Sequence, residues 1–89
     1  MKLGNLYATR RVEDLMQSNS KFRDDVNTAL NLYIYEDWGI TCSQDAQAND
    51  EALALGERIL AAYKTCKGKI LIITDAYRSS TTVLFPFEY

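Results

Sequence analysis

Lys69-Ile-Leu-Ile-Ile-Thr-Asp-Ala-Tyr-Arg-Ser-Ser-Thr-Thr-Val-Leu-Phe-Pro-Phe-Glu-Tyr89 places two β-like apolar runs on either side of a short polar segment. Ile, Val, Thr and Phe suit a pleated, half-buried surface, and the segment from Ala76 to Ser80 carries turn chemistry, so the stretch predicts a hairpin with a polar tip. Ile70-Leu71-Ile72-Ile73 is apolar without alternation. That pattern predicts a central strand covered on both faces, by helices on one side and a partner subunit on the other, which would make the protein a homo-oligomer. Pro86 has no ladder donor, so the last strand lies at an edge or ends there.

Upstream, residues 57–65 read as a further strand joined through Cys66-Lys67-Gly68, giving an antiparallel meander of 57–65, 69–75 and 81–87. Residues 3–8 suit a short strand, with Thr9 as N-cap of a helix through Val12, Leu15 and Met16. Ser18-Asn19-Ser20 ends that helix and caps the next. In the second helix Phe22, Val26, Ala29, Leu30 and Tyr33 follow helical spacing and Asp24 and Asp25 favour the positive end of the dipole. It is expected to stop before Gly39. Thr41-Cys42-Ser43-Gln44 fits a capping box for a third helix, on which Ala46, Asn49, Ala52 and Leu53 share a face and Gly56 follows the end. The expectation is one α+β domain over residues 1–89, with two or three helices on one face of a small antiparallel meander that the N-terminal strand can extend.

Composition narrows the function classes. The chain has 89 residues, ten basic and twelve acidic, for a formal charge of −2. That balance lacks the basic face of a nucleic-acid clamp, so direct nucleic-acid binding is not expected. It also lacks the dense carboxylates of a DNA mimic, since both signs are interleaved along the chain. No apolar run reaches the roughly 18 residues of a membrane span, and the first residues lack a signal-peptide core, so the expected setting is the cytoplasm, with no membrane partner. Cys42 and Cys66 stand apart, and there is no histidine. Both read as reduced thiols, and neither a metal site nor a cofactor is expected.

Chemistry concentrates at the hairpin tip. Arg78 brings a planar guanidinium and Ser79, Ser80, Thr81 and Thr82 bring hydroxyls, the groups that bind phosphate or carboxylate without pKa tuning. Arg58, on the neighbouring strand, could reach the same anion. The plainer reading is that the serines make the turn, the threonines serve β propensity and Arg78 pairs with Asp75. A serine nucleophile would have only lysine or carboxylate as base, with no sequence context for either. Asp45, Asp50 and Glu51 are the nearest approach to a metal-nuclease cluster, and read more simply as solvated helix charge. Tyr33, Tyr35, Trp38, Tyr77 and Tyr89 form the candidate interface set, because tyrosine is amphipathic and loses little entropy on binding. Trp38 also reads as a lid on the core.

From Asp37 to Tyr89 the pattern is more specific. Asp37-Trp38-Gly39, Asn49-Asp50, Ala52-Leu53, Gly56, Arg58-Ile59-Leu60-Ala61-Ala62-Tyr63, Arg78-Ser79, Thr81-Thr82 and Phe85-Pro86 resemble, in order and spacing, a family of small proteins carried by bacterial plasmids, prophages and other mobile elements. The chain departs from it at Ala76-Tyr77, where an acidic residue is expected. Relatives of this kind sometimes bear a label linking them to the modification subunit of type I restriction systems. A methyltransferase needs a glycine-rich cofactor loop and an Asn/Asp-Pro-Pro-aromatic motif, and this sequence has neither. The resemblance implies a mobile-element protein in a bacterial host. The expected function is a non-enzymatic, anti-CRISPR-like antagonist of bacterial immunity that sequesters a nucleotide-like anionic ligand or blocks a host defence protein. The alternatives are a small metal-dependent nuclease or phosphodiesterase and a DNA-associated plasmid-maintenance factor.

Overall fold

Thr9 begins the helical part of the chain: its hydroxyl accepts from Val12 N–H at 3.3 Å. Asn19 does the same for the next helix, its Oδ1 accepting from Phe22 N–H at 2.9 Å. In the computed structural model, which describes residues 1–89, these caps open α1 (Arg10–Ser18) and α2 (Ser20–Ile34). β1 (Asn5–Ala8) precedes them, and α3 (Ser43–Leu55), β2 (Ile59–Thr65), β3 (Gly68–Thr74), β4 (Ser80–Leu84) and a 3-10 turn, Pro86–Glu88, follow.

The capping box expected at Thr41 does not form. Cys42 is the N-cap and supplies no side-chain bond, while Thr41 donates its hydroxyl to Trp38 O and accepts from Ala62 N–H. α2 ends at Ile34, short of Gly39, and Glu36 takes a left-handed turn. Gly39 is also left-handed, and a Cβ there would run into the Tyr63 ring and the Ala62 carbonyl.

The hairpin strands pair as expected, β2 with β3 and β3 with β4, both antiparallel. The sheet is nevertheless mixed: its order is β1-β4-β3-β2, and β1 runs parallel to β4. β4 is therefore an interior strand that ends at Leu84, and Pro86 opens the 3-10 turn instead of marking an edge. Ile59, Ala61, Tyr63, Ile70, Ile72, Val83 and Phe85 face the helices and pack with Val12, Phe22, Val26, Ala29 and Tyr33. The opposite face holds a small cluster, Ala62, Leu71 and Leu84 with Leu60 and Ile73 at its margin. Helices thus cover one face of the central strand only. On the other face Ala62, Leu71 and Leu84 are buried within the chain, while Leu60 and Ile73 are only partly so.

The β2 edge is covered at Leu60 and Ala62. Leu60 N–H donates to Asn49 Oδ1 at 3.2 Å and Asn49 Nδ2 donates to Leu60 O at 2.8 Å. One residue pair along, Ala62 N–H reaches Thr41 Oγ1 at 2.9 Å and Ile40 N–H reaches Ala62 O at 3.0 Å. A buried tyrosine anchors this covering segment, since Tyr63 donates its hydroxyl to Asp37 O at 2.6 Å. An amide side chain and a short stretch of loop thereby do what another strand would do.

Candidate functional site

The hairpin tip forms where the sequence places it, but its polar groups are turned inward. Asp75 accepts from Ser79 N–H at 2.8 Å, from the Ser79 hydroxyl and from the Ser80 hydroxyl at 3.2 Å. The Ser79 hydroxyl and amide hold its carboxyl below the usual carboxylate range. Arg78, at φ +58, does not pair with the Asp75 side chain. Its guanidinium donates to the carbonyls of Glu57 at 2.7 Å, Asp75 at 2.9 Å and Ala52 at 3.3 Å. Ala52 lies in the last turn of α3, where a cation suits the negative end of the helix dipole. Arg78 therefore ties three segments of the fold together.

Thr81 is buried and closes a chain of hydroxyls. It donates to Leu3 O at 2.7 Å, so it must accept from Thr74, also at 2.7 Å, and Thr74 in turn accepts from Tyr33 at 2.7 Å. The relay pins the N-terminal segment to the core. Burial pushes the Tyr33 hydroxyl up to about 12, and burial raises that of Tyr63 further. Thr82 lies on the opposite sheet face, paired with Ile73 and Tyr7.

The expected interface set divides. Tyr33 and Trp38 are core residues, stacked edge to face at 5.6 Å, and Trp38 Nε1 donates to Asp50 at 2.8 Å. Tyr35 and Tyr77 are 84% and 92% exposed, and Tyr89 is exposed with the Arg58 guanidinium 5.7 Å from its ring centre. Arg58 is thus next in sequence to a carbonyl that Arg78 binds, while its own charged group is directed at Tyr89. Asp50 is committed to Trp38, and Asp45, Asp50 and Glu51 do not converge as a metal-holding group.

Sequence reasoning passed over the β1 edge. Asn5 N–H donates to Ser79 O and Thr9 N–H to Val83 O, so in the period-two ladder Asn5, Tyr7 and Thr9 turn their backbone groups to β4. Leu6 and Ala8 turn theirs outward. Leu6 is 52% and Tyr7 54% exposed. Register puts Leu6 on the helix side with Thr81, beside a groove of about 470 Å3 lined by Met16, Val26, Leu30 and Val83, with Glu13 and Asn27 at its polar margin. Only the strand itself was legible in residues 3–8; that it forms an outer edge depends on where β4 lies. No protein-family model, no curated protein and no solved structure matches the chain.

Proposed function

We propose that this chain is a non-enzymatic binding protein of a mobile element that antagonises bacterial immunity by docking onto a host defence protein, with β1 as the docking strand. The observation that carries the reading is the pairing of unfilled backbone groups at Leu6 and Ala8 with an apolar groove alongside them. Strand addition draws affinity from main-chain hydrogen bonds and specificity from alternate side chains. The groove suits an extended partner segment with apolar residues at alternating positions and a cation near Glu13. The sequestering form of the function, placed at the hairpin tip, has less support, because Arg78, Ser79 and Ser80 already serve internal acceptors.

The test is capture of a defence complex by the tagged protein, followed by hydrogen exchange on the purified pair. Slowed exchange at the Leu6 and Ala8 amides, with capture lost in Leu6→Pro, is the expected result. A partner that leaves both amides as exchangeable as in the free chain, or that binds Leu6→Pro equally well, would refute docking through β1.

A further inference from the structure

On the other side of α1 from the groove, three phenyl rings form a column that runs out of the core. Phe22 is buried and stacks on Phe85 at 5.8 Å; Phe85 stacks on Phe87 at 5.4 Å with an interplanar angle of 6°. Phe87, the outermost ring, is 71% exposed. A phenyl ring in water is unfavourable, yet this one is held in a defined orientation by the ring beneath it. The Arg11 guanidinium rests over it, 5.1 Å from the ring centre, within cation–π range.

Arg11 forms no ion pair, and neither does Lys67, which reaches the same place from the turn between β2 and β3. Together with Ser18, Phe85 and Phe87 they line an open hollow of about 510 Å3, a size that suits a small ligand. The one carboxylate there, Asp14, has Arg10 at 3.9 Å. An exposed, pre-oriented ring flanked by two unpaired cations and a hydroxyl is complementary to a planar heteroaromatic group that carries negative charge.

We propose that this hollow is a nucleotide site, in which the base stacks on Phe87 and the phosphate is held by Arg11 and Lys67. Arg11 leaves the ring as the base takes its place and turns to the phosphate, where its fork can bind two oxygens. The net charge of −2 favours a small nucleotide over a polyanion. This site is independent of β1 and uses none of the hairpin-tip groups.

The experiment is calorimetric titration of the purified full chain with adenosine and guanosine monophosphates, with adenosine and inorganic phosphate as single-moiety probes. Saturable binding of at least one nucleotide is expected, at least tenfold tighter than either single-moiety probe and weakening as salt rises. Phe87→Ala and the double variant Arg11→Gln with Lys67→Gln should each reduce affinity tenfold or more, as loss of base stacking and of phosphate contact predicts. Phe87→Leu keeps bulk without a π face and should behave as Phe87→Ala does, so a folding defect in one variant leaves the other decisive. Leu6→Pro should bind nucleotide normally. Absence of saturable binding at millimolar nucleotide, or equal affinity in Phe87→Leu and the parent, overturns the proposal.

Discussion

At the β2 edge, Asn49 and the segment around Thr41 fill the outward backbone groups of Leu60 and Ala62; at the β1 edge, the corresponding groups of Leu6 and Ala8 face water. The two edges differ in how their neighbours are held as well. Tyr63 fixes the cover of β2 through a single bond to Asp37 O, whereas β1 is tied down from behind, by the Tyr33–Thr74–Thr81 relay to Leu3 O and by a Thr9–Glu88 hydrogen bond at 2.9 Å. One edge is thus sealed at Leu60 and Ala62, and the other is anchored while its outer side stays free. Unfilled strand edges invite pairing with another chain. An edge that is firmly anchored yet open fits a docking role, whereas the sealed edge protects against unselective pairing.

Removing the seal should have the largest effect. Asn49→Ala leaves both Leu60 backbone groups without their side-chain partner, and unmade bonds of this kind cost about 1 to 3 kcal/mol each. Urea denaturation is expected to show a loss of about 3 kcal/mol, with aggregation as β2 becomes a second free edge. A loss below about 0.5 kcal/mol would mean that Asn49 does not close the edge.

Alkaline pH attacks the anchors of both edges. Tyr33 and Tyr63 have folded-state values above their ordinary 10.0, so the stability they contribute is fully present below pH 10 and is lost as pH rises beyond it. For Tyr33, raised to about 12, that contribution amounts to about 2 to 3 kcal/mol. Unfolding followed by far-ultraviolet dichroism should therefore begin above pH 10, and Tyr33→Phe should flatten the curve. An identical curve in Tyr33→Phe would remove the relay tyrosine from the account.

Thr81→Val tests the β1 anchor alone. It preserves shape but leaves Leu3 O without its donor and interrupts the relay, at a cost of about 1 to 3 kcal/mol. Hydrogen exchange should quicken at Tyr7, which faces β4, while Ala62 on the sealed edge keeps its protection. Equal loosening at both edges would show that they are not separately held.

The smallest effect on stability is expected from Leu6→Pro. Its N–H points away from β4 and has no ladder bond to lose, so the change should stay within about 1 kcal/mol. Tyr7→Pro, which removes an inward-facing donor, should cost distinctly more. Equal losses would contradict the parity assigned to the strand.

Much of this was legible in local chemistry. Thr9 and Asn19 act as caps, Gly56 takes the left-handed position after α3, and Phe22, Val26, Ala29 and Tyr33 form the buried stripe that their spacing predicts. The polar tip was legible as a turn, but its use was not, because the acceptors that engage Arg78 come from Ala52 and Glu57, far off in sequence. Thr41 misled for a similar reason: a hydroxyl placed for a capping box was drawn instead to Ala62 on a strand edge. Trp38 and Tyr33 read two ways in the sequence, as interface candidates and as a core lid and a member of the buried stripe, and the core takes both.

Sequence by itself determined the elements, since caps, helical spacing and the hairpin depend on residues a few positions apart. Only the tertiary structure decided that β1 lies parallel to β4 at an open edge, that Asn49 seals the opposite one, and that Phe87 sits at the outer end of a ring column beside Arg11 and Lys67. These outcomes join residues far apart along the chain, and such pairings are selected by the shared burial of the core, which no local pattern records.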